Sequence, residues 1–169
     1  ESEREAWRSD AVRVLEPGTG PAGRLKTARK GSGHVEVEVT GRAAHAGINP
    51  EEGVNAVHEL ALQIARIMRF NDLRRGVTLN ANFIGGGNRT NVVAERARAV
   101  VDVRAARISD MRALEQRLRK LRPILPGARV KVRGGFNRPP LERRMSAALF
   151  RKARALGKGM GLHLEESST

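Results

Sequence analysis

The spacing of hydrophobic residues alternates between two periods along the chain. In residues 34–40, every second side chain is a valine and the others are polar, which is typical of a strand with one buried face. Between Gly53 and Phe70, apolar residues recur every three or four positions, as on one side of an amphipathic helix. We assign to the polar side of this predicted helix Asn55, His58, Glu59, Leu62 and Arg66.

Both patterns return later in the chain. A second strand is predicted over residues 77–84, and a third follows the three glycines at 85–87. A second helix begins near Ser109, a favourable N-cap residue, and ends before Pro123. The side chains expected to point inward are Val77, Leu79, Ala81 and Phe83, then Ala97, Ala99, Val101 and Val103, then Met111, Leu114, Leu118 and Leu121, and finally Val130 and Val132 of a fourth strand.

The βαββαβ order with single-faced strands predicts an α+β fold of the ferredoxin-like kind. Its four-stranded antiparallel sheet carries both helices on one face, and the first strand lies between the third and the fourth. Glu36 and Glu38 of the first strand then face basic residues on both neighbours, where each opposite-charge pair contributes ~0.2–1 kcal/mol. These basic residues are Arg96, Arg98 and Arg104 on one side and Arg129, Lys131 and Arg133 on the other.

The chain divides into three parts around this unit. Residues 1–32 hold a short strand-like run at 11–15 and a connection rich in Gly, Pro and Thr. Residues 33–138 form the ferredoxin-like domain. Residues 139–169 begin with two prolines and continue as a helix.

Composition excludes several classes of protein and raises one alternative. The chain has no cysteine, which excludes disulfides and Cys-based metal sites, and no apolar run of the ~18 residues that a membrane span needs. Its formal net charge of +14 makes an RNA-binding ferredoxin-like module the main alternative. Such modules stack bases on aromatic residues of the first and third strands, which here carry none. We therefore expect only weak, salt-sensitive binding of nucleic acid.

Several residues could carry chemistry. His45 lies in a loop between small neighbours, where an imidazole can approach another molecule and donate a hydrogen bond to an oxyanion; a solvated loop histidine is the alternative. Arg104 and Arg138 could each bind a carboxylate through two hydrogen bonds; ion pairing with a residue of a neighbouring strand, or solvation, is the alternative for each. Asn91 follows a glycine-rich connection, and Glu16 ends the first strand-like run as an isolated candidate metal ligand.

Three segments together carry a family resemblance. They are Val-Thr-Gly-Arg-Ala-Ala-His-Ala-Gly-x-x-Pro-x-x-Gly-Val-Asn-Ala at 39–56, Gly-Gly-Asn-x-x-Asn-Val-Val at 86–93 and Asp-Val-Arg at 102–104. In order and spacing they resemble the zinc-dependent exopeptidases and deacylases, which include bacterial glutamate carboxypeptidase, acetylornithine deacetylase and succinyl-diaminopimelate desuccinylase. The Leu-Glu-Pro and Arg-Pro-Pro segments look most like the glutamate carboxypeptidase branch.

The resemblance implies a role for each candidate residue. Residues 33–138 look like the lid, a dimerisation domain through which the enzyme forms a homodimer using an edge strand and a helix. His45 matches a histidine that reaches the partner subunit's active site and stabilises the tetrahedral intermediate. Asn91 and Arg104 match residues that bind the substrate's carbonyl and carboxylate, and Arg138 matches a further carboxylate-binding arginine. Glu16 matches one carboxylate ligand of a two-zinc site.

The sequence departs from the family by lacking most of the metal site. The family's His-x-Asp ligand, its bridging Asp, its adjacent pair of catalytic and ligand Glu residues and its late His ligand have no counterpart in this chain. We therefore expect a fragment, inactive alone, of a dizinc hydrolase that cleaves an amide bond next to a free carboxylate in a peptide or N-acyl amino acid. A purely structural dimerisation module, to which the exposed Leu62 adds a hint, is a third possibility.

Overall fold

The computed structural model describes Arg8, residues 18–21 and residues 23–169. The predicted strand at 11–15 and the candidate ligand Glu16 lie outside these residues. Six strands are formed: β1 (Leu25–Ala28), β2 (Gly31–Thr40), β3 (Thr78–Gly86), β4 (Arg96–Ala105), β5 (Arg129–Arg138) and β6 (Glu166–Ser168). The three α-helices are α1 (Ala56–Met68), α2 (Ile108–Arg119) and α3 (Arg143–Gly159), and a short 3-10 turn covers Pro50–Glu52.

Strands β2 to β5 form one antiparallel sheet in the order β3-β4-β2-β5. Strand β2 is therefore central, with Val37 opposite Ala99 of β4 and Val132 of β5. This arrangement confirms the α+β, ferredoxin-like prediction, including the position of the first predicted strand between the third and the fourth.

One face of the sheet packs against α1 and α2 to form the core. The alternating valines of β2 and the inward residues of β4 are almost fully inaccessible to solvent, as are Leu60 and Ile67 of α1 and Leu114 and Leu118 of α2. The helical spacing of these apolar residues explains why each helix presents one side to the sheet. No helix within the described residues is long and apolar enough to span a membrane.

The prediction that Phe83 points inward was wrong. The β3–β4 register shifts between Ala81 and Phe83, so one extra residue interrupts the alternation. Such a bulge moves the following side chains to the opposite face of a strand. Phe83 is 47% exposed, and the guanidinium carbon of Arg98 lies 5.0 Å from its ring centroid.

Two predictions about the helices also fail. Helix α2 begins at Ile108 rather than after Ser109, and the Ile108 N–H donates to Glu142 Oε1 at 2.9 Å, a cap supplied by a distant residue. Glu59, assigned to the polar side of α1, is fully buried. Its neighbour Gln63 is buried with it.

The open face of the sheet carries the expected charge pairs in part. Glu36 pairs with Arg98 at 3.4 Å, and Glu38 pairs with Arg133 at 3.1 Å. Arg104 does not face either glutamate, because the register sets it opposite Ser32. It pairs instead with Asp102 of its own strand.

The flanking segments pack on each other. Strand β1 pairs in parallel with β6, and Arg29 pairs with Leu141 through two backbone hydrogen bonds. Helix α3 confirms the predicted helix after Pro140, while β6 was not predicted. We call β1, α3 and β6 the flanking unit.

Candidate functional site

His45 lies in the exposed loop that follows β2. Its backbone N–H donates to Asn49 Oδ1, and the Gly47 N–H donates to His45 Nδ1, both at 3.2 Å. Because Nδ1 accepts a hydrogen bond, a neutral imidazole at this position carries its proton on Nε2. The loop therefore presents an N–H donor to whatever approaches it from solvent.

Asn91 lies directly beside this loop. An antiparallel bridge joins His45 to Val92, in which Ala46 N donates to Asn91 O at 3.0 Å and Val93 N donates to Ala44 O at 2.9 Å. The structure thus brings together His45 and Asn91, which stand far apart in the sequence. We call these two residues the His45–Asn91 cluster.

A groove of about 830 Å³ lies next to Asn91 on the open face of the sheet. Glycines 85–87 form part of its wall, and Gly86 packs so tightly that an added Cβ would lie 2.7 Å from Ala97 Cβ and 2.8 Å from Val57 Cγ2. Its charged lining residues are Arg89, Arg96, Arg98, Arg133, Glu38 and Glu95. Since cations outnumber anions there, the groove favours negatively charged molecules.

Arg104 and Arg138 form a second cluster. Both lie opposite Ser32 of β2, Arg104 on the β4 side and Arg138 on the β5 side. Arg104 Nε and Nη2 lie 2.9 and 3.2 Å from Asp102 Oδ1 and Oδ2. This hydrogen-bonded carboxylate raises the pKa of Arg104 above its ordinary value. We call Ser32, Asp102, Arg104 and Arg138 the Arg104–Arg138 cluster.

Sequence reasoning assigned no role to Asp102. The available signal was its spacing, because residues i and i+2 of a strand share a face and an Asp at that distance can reach an Arg. Asp102 begins the Asp-Val-Arg segment, but the family resemblance implies no role for it.

The two clusters lie at opposite ends of the sheet. Arg96 pairs with Thr40, five residues before His45, whereas Arg104 pairs with Ser32 at the start of β2. The eight residue steps from Arg96 to Arg104 span roughly 26 Å at ~3.3 Å each. One small substrate therefore cannot touch both clusters of the same chain.

The described residues do not fit a two-metal site. Within residues 18–21 and 23–169, no three His, Cys, Asp or Glu side chains lie close enough together to hold a metal ion. Two of the carboxylates found there are held in other ways, Asp102 by Arg104 and Glu59 by backbone N–H groups.

Comparison with known proteins identifies relatives for most of the chain. The family model described as "Peptidase dimerisation domain" matches residues 27–123. Carboxypeptidase G2 of Pseudomonas sp. (strain RS-16) is 35% identical over 134 residues, which cover 77% of this chain and 32% of the relative. The uncharacterised protein YqjE of Bacillus subtilis (strain 168) is 26% identical over 100 residues, 59% of this chain and 27% of that protein.

Solved structures share the fold at lower sequence identity. The aminopeptidase PepT of Bacillus cereus superposes with a TM-score of 0.72 at 22% identity, covering 92% of this chain and 42% of that one. A tripeptidase of Staphylococcus aureus gives a TM-score of 0.68 at 19% identity, with 96% and 45% covered. The chain thus spans about a third of the length of the curated relatives that it matches, and less than half of these structures.

Proposed function

We propose, since the chain belongs to the peptidase dimerisation domain family, that it is the lid and dimerisation segment of a carboxypeptidase-type hydrolase. Residues 33–138 are the lid, and residues 1–32 and 139–169 are pieces of the catalytic domain on either side. The whole enzyme cleaves an amide bond next to a free carboxylate. It uses two zinc ions, of which Glu16 binds one, and the isolated chain is inactive.

The observation that carries this proposal is the separation of the two clusters. The Arg104–Arg138 cluster lies where the chain enters and leaves the lid, next to the flanking unit, whereas the His45–Asn91 cluster lies at the far end. In a twofold dimer, one active site can combine the arginines of its own chain with His45 and Asn91 of the second copy. Dimerisation then completes each site rather than merely joining two.

Each cluster has a distinct chemical task in this scheme. The arginines bind the substrate's carboxylate through charge-assisted hydrogen bonds. The Nε2–H group of His45 donates a hydrogen bond to the oxygen that becomes negative in the tetrahedral intermediate, and the Asn91 amide donates a hydrogen bond to the same oxygen. Neither role requires a change in the protonation of His45.

The dimer forms through the β3 edge and α1. Strand β3 is an edge of the sheet, and α1 packs on the side of β3, β4 and β2. Leu62 of α1 is 40% exposed, and Ile84 of β3 is 58% exposed. The other edge, β5, has left-handed backbone at Gly134 and carries the charges of Arg129, Lys131 and Arg133, features that oppose pairing with another strand.

Subunit complementation tests the composite site. In the full-length enzyme, His45→Ala removes the oxyanion donor and lowers kcat by ~10²–10³. Arg104→Ala removes the carboxylate contact and raises KM. A heterodimer of these two variants contains one site with both residues intact and one site with neither, so it regains about half of the wild-type activity.

The outcome shows whether each active site is built from residues of two chains or of one. If each chain used its own His45 and Arg104, neither site of the heterodimer would be intact and activity would stay at the level of the single variants. His163→Ala, a change at an exposed histidine outside β3 and α1, is the matched control and leaves kcat unchanged. Failure of complementation would overturn the composite site, and absence of amide hydrolysis would overturn the enzyme assignment.

A further inference from the structure

Asp102 occupies one edge of the Arg104 guanidinium. Its two carboxylate oxygens receive Arg104 Nε–H and Nη2–H separately, at 2.9 and 3.2 Å. A guanidinium carries five N–H donors in a planar fork. The Nε edge is therefore taken by Asp102, while the opposite Nη1/Nη2 edge is left for a second carboxylate.

We propose that Asp102 is a positioning residue that fixes Arg104 so that this second edge faces the substrate's carboxylate. The proposal rests on the proposed function, in which Arg104 binds that carboxylate. Asp102 itself does not touch the substrate, and it acts through the orientation of Arg104.

The backbone below the pair is held on both sides. Strand β4 is internal, so Asp102 faces His34 and Asn80, and Arg104 faces Ser32 and Thr78, on hydrogen-bonded neighbours. Between them, Val103 is fully buried in the core. A site residue is held more accurately on such a strand than on a loop, and a side-chain partner removes its remaining rotational freedom.

The Asp102–Arg104 ion pair contributes little to the stability of the fold. The Arg104 side chain is 51% exposed, and exposed pairs contribute ~0–1 kcal/mol. A fixed orientation, by contrast, lowers the entropic cost of binding a carboxylate. The net charge of the Arg104–Arg138 cluster is consistent with this role. Its two arginines and one aspartate sum to one positive charge, which one substrate carboxylate neutralises.

The test uses the full-length enzyme and two substrates that differ only in a free carboxylate or a carboxamide. Asp102→Asn keeps the size of the side chain and one acceptor oxygen but loses the charge and the second acceptor. We expect KM for the carboxylate substrate to rise about tenfold with kcat within about twofold, as for an interaction made equally in ground and transition states. KM for the carboxamide substrate stays unchanged.

Glu36→Gln is the matched control, because Glu36 forms the neighbouring open-face pair with Arg98 and is about as exposed as Asp102. It leaves both KM values unchanged. In an Arg104→Ala background, Asp102→Asn produces no further rise in KM, since its effect acts through Arg104.

The other possible results would overturn the positioning role of Asp102, the role of Arg104 or the proposed function, and they can be told apart. An unchanged KM in Asp102→Asn, or an equal rise for both substrates, overturns the positioning role while leaving Arg104 as a carboxylate-binding residue. An unchanged KM in Arg104→Ala overturns the proposed role of Arg104 and the inference with it. If the enzyme hydrolyses neither substrate, the proposed function itself fails.

Discussion

At the scale of single residues, the least expected feature is the buried carboxylate of Glu59. Its oxygens accept hydrogen bonds from the backbone N–H of Ile124 at 3.0 Å and of Leu125 at 2.7 Å, and from Gln63 Nε2 at 2.7 Å. Gln63 Nε2 also donates to Arg122 O at 2.9 Å. Two polar residues of α1 thus anchor the loop between α2 and β5 by binding its backbone groups.

Replacing Glu59 should destabilise the fold strongly. Glu59→Ala leaves two backbone N–H groups without acceptors, and each such group costs ~1–3 kcal/mol, so we expect a loss of about 3 kcal/mol or more in the free energy of unfolding. Urea denaturation measures it. Glu51→Ala, at an exposed carboxylate of the 3-10 turn, is the control and stays within ~0.5 kcal/mol. A similarly small effect of Glu59→Ala would contradict the anchoring role.

At the scale of the elements, the β3 bulge shapes the exposed side of the sheet. It turns Phe83 onto the open face, where Arg98 covers its ring, and leaves Ile84 exposed next to the strand edge. Leu62 of α1 is a further exposed apolar side chain. An edge strand with uncovered apolar neighbours readily pairs with another chain.

We therefore expect charge at this edge to prevent self-association. Leu62→Glu combined with Ile84→Glu places two like charges per copy in the proposed interface, where they are desolvated without partners. Sedimentation velocity should show the unmodified chain as a dimer and the double variant as a monomer. Ile124→Glu, at an equally apolar exposed residue of the loop leading to β5, is the control and leaves the dimer intact. A variant that stays dimeric would exclude the β3–α1 interface.

At the scale of the whole molecule, the dimerisation domain and the flanking unit are each stabilised by different interactions. The dimerisation domain has an apolar core between its sheet and two helices. The flanking unit depends more on exposed ion pairs, in which Glu165 meets Arg24 and Glu166 meets Arg143. Glu142 accepts from Arg144 and from the Ile108 N–H, which ties the start of α3 to α2.

This difference predicts that acid loosens the flanking unit first. The arginine hydrogen bonds lower the pKa of Glu142, Glu165 and Glu166 below the ordinary value of 4.5. A carboxylate with a lowered folded-state pKa stabilises the fold above 4.5, and that contribution is lost as the pH falls through the lower folded-state value. Between about pH 6 and pH 3, amide protection should therefore fall in β1 and β6 before it falls in β2 and β4.

A variant separates this effect from general acid unfolding. Glu165→Gln already lacks one of the ion pairs, so its β1 and β6 amides should be less protected at neutral pH and respond less to acid. If acid lowered amide protection equally in β2 and β6, the prediction that the flanking unit loosens first would be wrong.

The sequence by itself determined the fold and pointed to the dimerisation domain family. Alternating valines and helically spaced apolar residues leave few ways to bury a core, and these periods fixed the βαββαβ order and the strand neighbours. The motifs also pointed to His45, Asn91, Arg104 and Arg138 as candidate residues. Their proposed roles in binding and catalysis stay predictions.

Only the tertiary structure decided where these residues lie relative to one another. It also decided which side chains depart from the burial that the hydrophobic pattern predicts. Strand register sets Arg104 and Arg138 opposite the same residue, Ser32, and far from His45, and register depends on pairing between distant segments. The burial of Glu59 and the outward turn of Phe83 have the same origin. The Glu59 carboxylate can be buried because a loop distant in sequence supplies its hydrogen-bond donors. The bulge at Phe83 depends on the register between β3 and β4, where one strand has an extra residue.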